Sequence, residues 1–329
     1  MNIKNVCVLG GSGFVGRHIV HQLAQADCRV RVLTRRRERA KGLIVLPTVE
    51  VVEANVFDAQ DLARQFTGMD AVINLIGILH GGSGGRPERA RSFEEVHVEL
   101  PRRVVAACLG EGVPRLLHMS ALGADRGGPS AYQRTKGAGE ALVLEAGRIP
   151  REDGRSVAVT VFRPSVIFGP EDTFLNLFAR LVRLFPVVPL ANAKARFQPI
   201  YVEDVARAYV ASLGEPRTFG QAYDLCGPAS YSLEALVAFV ARLVGSHARI
   251  VPLGPRLSYL QALALEFMPG RKLMTRDNFY SLQTDNVCAG SFPSIFGFDP
   301  MPLEAVAPRY LRQGMAGGRY DGFRRKARR

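Results

Sequence analysis

A tyrosine and a lysine stand one helical turn apart in the segment Tyr132-Gln-Arg-Thr-Lys136. Positions i and i+4 share a helix face, so the lysine ammonium can lie beside the phenol. A neighbouring cation favours the phenolate and lowers the pKa of a tyrosine from its usual value of about 10. Such a pair can relay a proton while a hydride passes to or from a nicotinamide. Ser120, upstream of the pair, is the candidate for holding a substrate oxygen.

A glycine-rich turn near the start of the chain predicts a dinucleotide site. The spacing G-x-x-G-x-x-G lies between a short apolar run and an amphipathic stretch. One glycine makes the tight turn, one lets the backbone approach a pyrophosphate, and one lets the helix pack closely, with its N-terminus facing the anion. A glycine turn without a ligand is the alternative. The turn residues assigned to the cofactor are Gly10, Ser12, Gly13, Phe14, Val15 and Gly16.

The residues after the second predicted strand distinguish the two nicotinamide cofactors. An acid there binds the ribose 2′-hydroxyl of NAD, whereas arginine receives the 2′-phosphate of NADP. Here Arg35 and Arg36 follow the strand, and no carboxylate stands at the ribose position. The sequence therefore predicts NADP(H) over NAD(H), with a solvated basic turn as the alternative for the later arginines.

Further cofactor contacts follow from position alone. Asn55 and Val56, after the third predicted strand, are candidates for flanking the adenine. The run Leu75, Ile76 and Gly77, after the fourth, lies where the nicotinamide ribose would approach the backbone. Pro164, at the end of the sixth, is a candidate for packing on the nicotinamide. Ordinary loop, or strand termination by the proline, is the alternative.

Apolar strands alternate with helical patterns through the first half of the chain. This alternation predicts an α/β fold, a Rossmann-type doubly wound parallel sheet with right-handed crossovers. We expect a nucleotide-binding domain over 1–165 and a smaller α+β lobe over 166–329, with a strand near 222–226 that could join the sheet. The predicted strands are 5–9, 29–34, 49–54, 71–76, 115–120 and 157–163, and the predicted helices are 17–24, 93–109 and 131–145.

Composition narrows the class of protein. The chain has 329 residues, of which 47% are hydrophobic, enough for a large globular core. Its five cysteines are odd in number and scattered, so we expect no disulfide, no zinc or other metal site, and a reducing compartment. No secretory signal or membrane-spanning run is visible. These features predict a cytoplasmic protein, either free or peripheral on a membrane.

A net charge of +13 is concentrated in the stretches 35–41 and 319–329. Such a field attracts phosphates, anionic lipid headgroups or an acidic protein surface. The basic tail is therefore a candidate contact for an anionic membrane, and a merely solubilising tail is the alternative. Nucleic acid is not expected as a partner, since zinc-finger and RNP-type motifs are absent from the sequence.

The motifs together resemble the short-chain dehydrogenase/reductase superfamily, on its extended or atypical side. Over nearly the whole chain the sequence is also similar to the nucleotide-binding accessory subunits of respiratory complex I and their bacterial relatives. The stretches that carry this closer likeness are His118-Met-Ser-Ala-Leu-Gly-Ala-Asp125, Ser130 to Lys136, Arg163-Pro-Ser-Val-Ile-Phe-Gly-Pro-Glu-Asp172, Phe197-Gln-Pro-Ile-Tyr-Val-Glu-Asp-Val-Ala206 and Asp285-Asn-Val287.

The resemblance implies a protein that holds NADPH tightly in a structural or redox-sensing role, with complex I subunits as partners, near the inner face of the membrane. The chain departs from close kin by keeping both Tyr132 and Lys136. It departs from active extended members in two ways. If the alignment shifts by one residue, Ala121 and not Ser120 stands at the position of the catalytic serine or threonine. His97 replaces a helix asparagine. Two alternative functions remain. One is a free-standing oxidoreductase, epimerase or dehydratase acting on a quinone, isoprenoid or sugar nucleotide, and the other is a redox-sensing regulator.

Overall fold

Short runs of apolar and β-branched residues form seven parallel strands of one sheet, in the order β3-β2-β1-β4-β5-β6-β11. Neighbouring strands keep one direction, with Val8 opposite Val32 on one side and Ile73 on the other. The predicted doubly wound parallel sheet is confirmed. The sheet strands are β1 (Asn5–Leu9), β2 (Arg29–Thr34), β3 (Val49–Glu53), β4 (Ala71–Asn74), β5 (Arg115–Met119), β6 (Ala158–Pro164) and β11 (Gln221–Leu225).

The computed structural model describes residues 3–79, 91–148, 156–268 and 272–312. The basic tail at 319–329 lies outside these ranges. The helices are α1 (Phe14–Gln25), α2 (Lys41–Ile44), α3 (Ala59–Phe66), α4 (Leu100–Glu111), α5 (Ala131–Ala146), α6 (Leu175–Leu184), α7 (Val202–Ser212), α8 (Leu233–Leu243), α9 (Pro255–Phe267), α10 (Arg276–Ser281) and α11 (Leu303–Leu311).

The sheet is covered on both faces, which gives the molecule two of its three apolar cores. On one face α1 and α7 pack together, with Ile19 and Tyr209 fully buried among strand residues. On the other face α3, α4 and α5 bury Phe66, Leu100 and Val143. Both faces of each central strand are therefore apolar, as expected for parallel strands between two helix layers.

The segments after β6 have two destinations. Helix α7 and strand β11 return to the sheet, where β11 pairs with β6 over five residues. Most of the remainder forms a third core under α6, α8 and α11, while Phe296 and its neighbours pack on the core of α1 and α7. Short strand pairs connect these helices: β7 (Ile167–Phe168) with β10 (Ile200–Tyr201), β9 (Arg196–Phe197) with β12 (Tyr231–Ser232), and β8 (Val187–Leu190) with β13 (Arg249–Pro252).

The expectation that the chain has no disulfide is wrong. Cys226 follows the last residue of β11, and Cys288 lies two residues after Asn286, which bridges to Phe197; the Cα atoms of the two cysteines are 6.1 Å apart and their sulfurs are bonded. The two cysteines are separated by 62 residues in the chain. The spacing of the cysteines in the sequence did not indicate this pair, because a contact made by tertiary folding leaves no local pattern. Cys7, Cys28 and Cys108 are free thiols and buried.

No helix within the described ranges combines the length and the apolar character that a bilayer crossing requires.

Candidate functional site

The carboxyl ends of the parallel strands bring the candidate residues to one edge of the sheet. The chain reverses its strand order between β1 and β4, and ligands of open α/β sheets bind in the crevice at such a switch point. The glycine turn follows β1, and Leu75 to Gly77 follow β4 on the other side of the crevice.

The glycine turn has no room for side chains. Gly10 has φ +80°, a conformation that favours glycine, and its carbonyl accepts a 2.9 Å hydrogen bond from the Gly13 amide. A Cβ on Gly16 would lie 2.3 Å from the Gly10 oxygen. These contacts hold the backbone of the turn against the start of α1.

The N-terminus of α1 begins three residues earlier than the sequence predicts, at Phe14. Gly13 is its N-cap, and no side chain of the described residues caps it. The amides of the first turn, including those of Phe14 and Val15, therefore suit an anion. Ser12 Oγ lies 3.5 Å from Thr34 Oγ1, which joins the turn to the end of β2. This cradle fits a dinucleotide pyrophosphate.

The end of β2 is basic and open to solvent. Arg35 and Arg36 are both exposed. The nearby carboxylate of Glu53, on β3, accepts a 2.7 Å hydrogen bond from the Arg37 amide. The side chains available at the ribose position are therefore guanidinium groups.

Two further arginines lie in this region and have no recognisable signal in the sequence. The guanidinium of Arg91 lies 3.5 Å from the centre of the Phe57 ring, and Arg103 donates a hydrogen bond to the Phe57 carbonyl. Burial, followed by the charges of Arg35 and Arg103, lowers the pKa of Arg91. Residues from three separate segments thus form one cluster of guanidinium groups beside the end of β3, in which Arg91 also pairs with Glu95.

The predicted adenine contacts form a tight turn after β3. The Asn55 amide donates to Asp61 Oδ2 at 2.7 Å, and its side-chain oxygen accepts from the Phe57 amide at 3.2 Å. Val56 is buried. The Asn55 side chain is therefore used by its own turn.

Gly77 lies against the candidate catalytic lysine. A Cβ on Gly77 would be 3.1 Å from Lys136 Nζ, so the absence of a side chain lets the ammonium reach this position. Before it, the Leu75 amide donates to the Leu9 carbonyl, and the Ile76 amide donates to Asn74 Oδ1, at 3.0 and 3.2 Å. This hydrogen bond to Asn74 ends β4 two residues earlier than predicted.

Tyr132 and Lys136 share the inner face of α5, but the expected lowering of the phenol pKa is wrong. Burial raises the pKa of Tyr132 to about 12. The ammonium of Lys136 donates to the Met119 carbonyl at 3.0 Å, and burial, opposed by Glu140, lowers its pKa to about 8. In this arrangement the phenol keeps its proton at neutral pH.

Ser120 lies directly after β5, beside the end of β6. Its amide donates to the Phe162 carbonyl at 2.8 Å, while its buried hydroxyl has no hydrogen-bond partner among the described residues. A buried polar group without a partner suits a ligand atom or water. Ala121 is buried too, and so is Pro164 at the end of the neighbouring strand β6, whose carbonyl accepts from the Leu122 amide at 3.0 Å.

His97, in the place of a helix asparagine, has a defined hydrogen-bond role. Its Nε2 accepts from the Ile78 amide at 3.1 Å, which leaves Nδ1 to donate to Thr135 Oγ1 at 3.0 Å. Burial, then the charge of Lys136, lowers the pKa of His97 to about 3. The neutral ring lies edge-on to Tyr132, with centroids 5.5 Å apart. His97 is therefore a fixed support of the site.

Helix α10 contacts the start of α5, which the sequence did not indicate. The Asp277 carboxylate accepts from the amides of Ala131 and Tyr132 at 2.7 and 3.2 Å. Ser281 adds a hydroxyl contact to Ser130 at 2.8 Å. Asp277 therefore helps to position the helix that carries Tyr132. Across the four described ranges, no cluster of three potential metal ligands occurs.

Comparison with known proteins gives a family and several relatives. The family described as NAD dependent epimerase/dehydratase matches residues 6–226. Over 322 residues the chain is 30% identical to the mitochondrial NADH dehydrogenase (ubiquinone) 1 alpha subcomplex subunit 9 of Mus musculus, covering 93% of this chain and 79% of that protein. The Arabidopsis thaliana protein of the same name is 28% identical, covering 94% and 78%.

One further relative is named as an enzyme, and one solved structure shares the fold of this chain. A ceramide reductase of Caulobacter vibrioides is 32% identical over 212 residues, covering 64% of this chain and 61% of that protein. The structure of a double mutant of the dTDP-glucose 4,6-dehydratase DesIV from Streptomyces venezuelae, with NAD and DAU bound, superposes with a TM-score of 0.71 at 19% identity. That likeness covers 93% of this chain and 95% of DesIV.

Proposed function

The chain belongs to the NAD dependent epimerase/dehydratase family, and we propose that it holds NADP(H) as a complex I accessory-type protein, in a structural or redox-sensing role. The observation that carries the proposal is the resting state of the tyrosine–lysine pair. Lys136 donates to a backbone carbonyl, and burial raises the pKa of Tyr132 to about 12. A phenol that keeps its proton cannot serve as the base of an oxidation at neutral pH, which supports retention of the nucleotide over turnover in that direction.

NADP(H) fits the residues that surround the crevice. The glycine turn and the uncapped start of α1 would hold the pyrophosphate. Arg35 and Arg36 would take the 2′-phosphate, with Arg91 and Arg103 adding positive potential. When bound, the nucleotide supplies hydride chemistry at its nicotinamide. Gly77, Ser120 and Pro164 would line that end of the crevice.

Mass spectrometry of the nucleotide released from untreated protein tests this proposal. NADP(H) in an amount comparable with the protein is the expected result. Recovery of NAD(H) would contradict the cofactor assignment, and protein purified without nucleotide would contradict tight retention.

The proposed partners are subunits of respiratory complex I, at the inner face of the membrane. The similarity to mitochondrial complex I subunits over 93% of the chain supports this placement, and so does the net charge of +13. Affinity purification from native membranes should recover respiratory subunits. If the protein is recovered alone under mild detergent, the partnership is wrong.

A free-standing reductase is the second candidate, favoured by the intact Tyr132–Lys136 pair and by the Ser120 hydroxyl, which has no hydrogen-bond partner in the described part of the chain. The similarity to a ceramide reductase supports it. In this function Ser120 would bind a carbonyl oxygen of a quinone, isoprenoid or sugar nucleotide, and Tyr132 would donate the proton. Tyr132→Phe should then abolish NADPH oxidation with the true substrate. A redox-sensing regulator would instead bind its partner differently with oxidised and reduced nucleotide.

A further inference from the structure

The outer face of α9 carries apolar side chains where a surface helix normally carries polar ones. Leu257, Leu260 and Phe267 expose 57%, 55% and 75% of their surface. With exposed Ala264, their spacing of three and four residues places them on one stripe of the helix. The opposite side of the helix is buried through Ser258 and Ala262. This stripe is therefore presented to solvent.

A second exposed apolar run lies at the start of β8, the strand that α9 contacts. Leu184, Phe185 and Val187, from the end of α6 and the start of β8, expose 73%, 52% and 49%. Strand β8 pairs with β13, which leads directly into α9, and Gln261 of α9 donates to the Pro189 carbonyl at 2.9 Å. We call these six residues the α9 face: Leu184, Phe185, Val187, Leu257, Leu260 and Phe267. Clustered exposure of this kind marks an interaction surface.

The charge around the α9 face is predominantly positive. The segments 173–202 and 235–265, which supply most of it, contain no aspartate or glutamate. They carry the exposed side chains of Arg180, Arg183, Arg249 and Arg256. Glu266, the next acid along the chain, is bound by Arg276 at 3.0 Å. The surface is therefore apolar at its centre and cationic at its edge.

We infer that the α9 face binds an anionic phospholipid bilayer. Interfacial helices bury Leu and Phe at the boundary of headgroups and acyl chains, and anionic headgroups attract nearby arginines. The charge pattern selects a phosphate-rich surface over a neutral one. The inference deepens the proposed membrane location and rests on it, yet it requires no bound nucleotide. It assigns the contact to folded surface of the lobe instead of the basic tail.

Vesicle flotation tests the assignment with the full chain. The vesicles are pure phosphatidylcholine, or phosphatidylcholine with about three in ten lipids replaced by phosphatidylglycerol. The wild type should float with the anionic vesicles, and added salt should weaken the binding. The double substitution L260S/F267S should reduce binding about tenfold. The matched control is I44S/V45S, which removes exposed apolar side chains far from the α9 face.

Circular dichroism and nucleotide analysis accompany each variant, so that loss of folding or of NADP(H) is recognised. If L260S/F267S does not fold, vesicle binding of the milder variant L260A is compared with that of its control V45A. Equal binding to neutral and anionic vesicles, or equal losses in the α9-face and control variants, would overturn the inference. Failure to bind vesicles, with a concentration-dependent dimer abolished by L260S/F267S, would assign the face to a second copy. If the protein retains NADP(H) but does not bind vesicles, the assignment of the α9 face to a membrane is wrong, and the nucleotide proposal is unaffected.

Discussion

Arg35 and Arg36 extend into solvent beyond β2, beside the cluster formed by Arg91 and Arg103. A guanidinium group matches a phosphate through two parallel, charge-assisted hydrogen bonds. A ribose hydroxyl gains much less from such a neighbour. At the scale of single residues, the proposed preference for NADP(H) therefore rests on these arginines.

The double substitution R35A/R36A should weaken NADPH binding by about tenfold or more, because one lost phosphate contact is worth about 1.4 kcal/mol. NADH binding should change by less than about twofold. Fluorescence titration with each reduced nucleotide measures both. Arg29→Ala, at the opposite end of the same strand and also exposed, is the matched control. Equal losses for both nucleotides would contradict the assignment.

His97 makes stability depend on pH. Burial, then Lys136, holds its pKa at about 3 in the folded state, against about 6.5 in an unfolded chain. Between these values the unfolded state binds more protons, so the free energy of unfolding falls as pH falls, by up to about 1.4 kcal/mol per pH unit. His97→Asn should make this slope shallower in urea unfolding between about pH 6 and 4. Burial and Lys136 also lower the pKa of His118 to about 3, so His118 still contributes to the pH dependence of stability in this variant. Identical slopes in wild type and variant would rule the effect out.

Helix α5 is the element on which the site depends, and it is fixed at its N-terminus in two ways. Ser130 and Gln133 form a local capping box. Asp277 of α10 adds a carboxylate from the far end of the chain. The second contact links the position of Tyr132 to the lobe.

Asp277→Ala should cost about 1 kcal/mol of stability, the usual value of a helix cap. It should also weaken NADP(H) binding, since it loosens the turn that holds Tyr132. Ser232→Ala is the control, because Ser232 caps α8 through a 3.1 Å hydrogen bond from the Ala235 amide, and α8 carries none of the residues assigned to the cofactor. Thermal unfolding and nucleotide titration separate the two effects. Equal nucleotide affinity in both variants would mean that Asp277 only stabilises.

Local patterns were enough to predict the parallel sheet, the glycine turn and the helices α1, α4 and α5, but not α3 and α7, which also cover the sheet. Alternation of apolar runs with 3.6-residue periodicity depends on neighbours in sequence, and α5 begins at Ala131, as predicted. The contacts of Asp277, Arg91 and Cys288 could not be predicted in this way. Each side chain meets its partner through tertiary packing across tens of residues, where sequence spacing carries no signal.

At the scale of the whole molecule, the Cys226–Cys288 bond joins the edge strand β11 to the segment that crosses the lobe. Next to it, Asn286 Oδ1 accepts from Ser165 Oγ at 2.6 Å and from the Val166 amide at 3.2 Å. The covalent link and these hydrogen bonds hold the lobe against the carboxyl edge of the sheet.

The double substitution C226S/C288S should therefore lower the free energy of unfolding by about 2–4 kcal/mol under oxidising conditions, as expected for a loop of this size. With dithiothreitol present, wild type and variant should unfold at similar denaturant concentrations. Thiol counting on unfolded, unreduced protein checks the bond directly. A difference that persists unchanged in reductant would assign the loss to packing.

The position of β11 also affects how the chain is made. Strands β1 to β6 can pair as they leave the ribosome, since each joins a sheet already begun. The outer edge of β6 then stays unpaired, because its neighbour on that side is β11 and residues 165–220 must be translated first. During that interval its free amide and carbonyl groups offer an edge to which another nascent chain can pair. Slow elongation through 165–220 would prolong the interval, so co-translational aggregation should concentrate there.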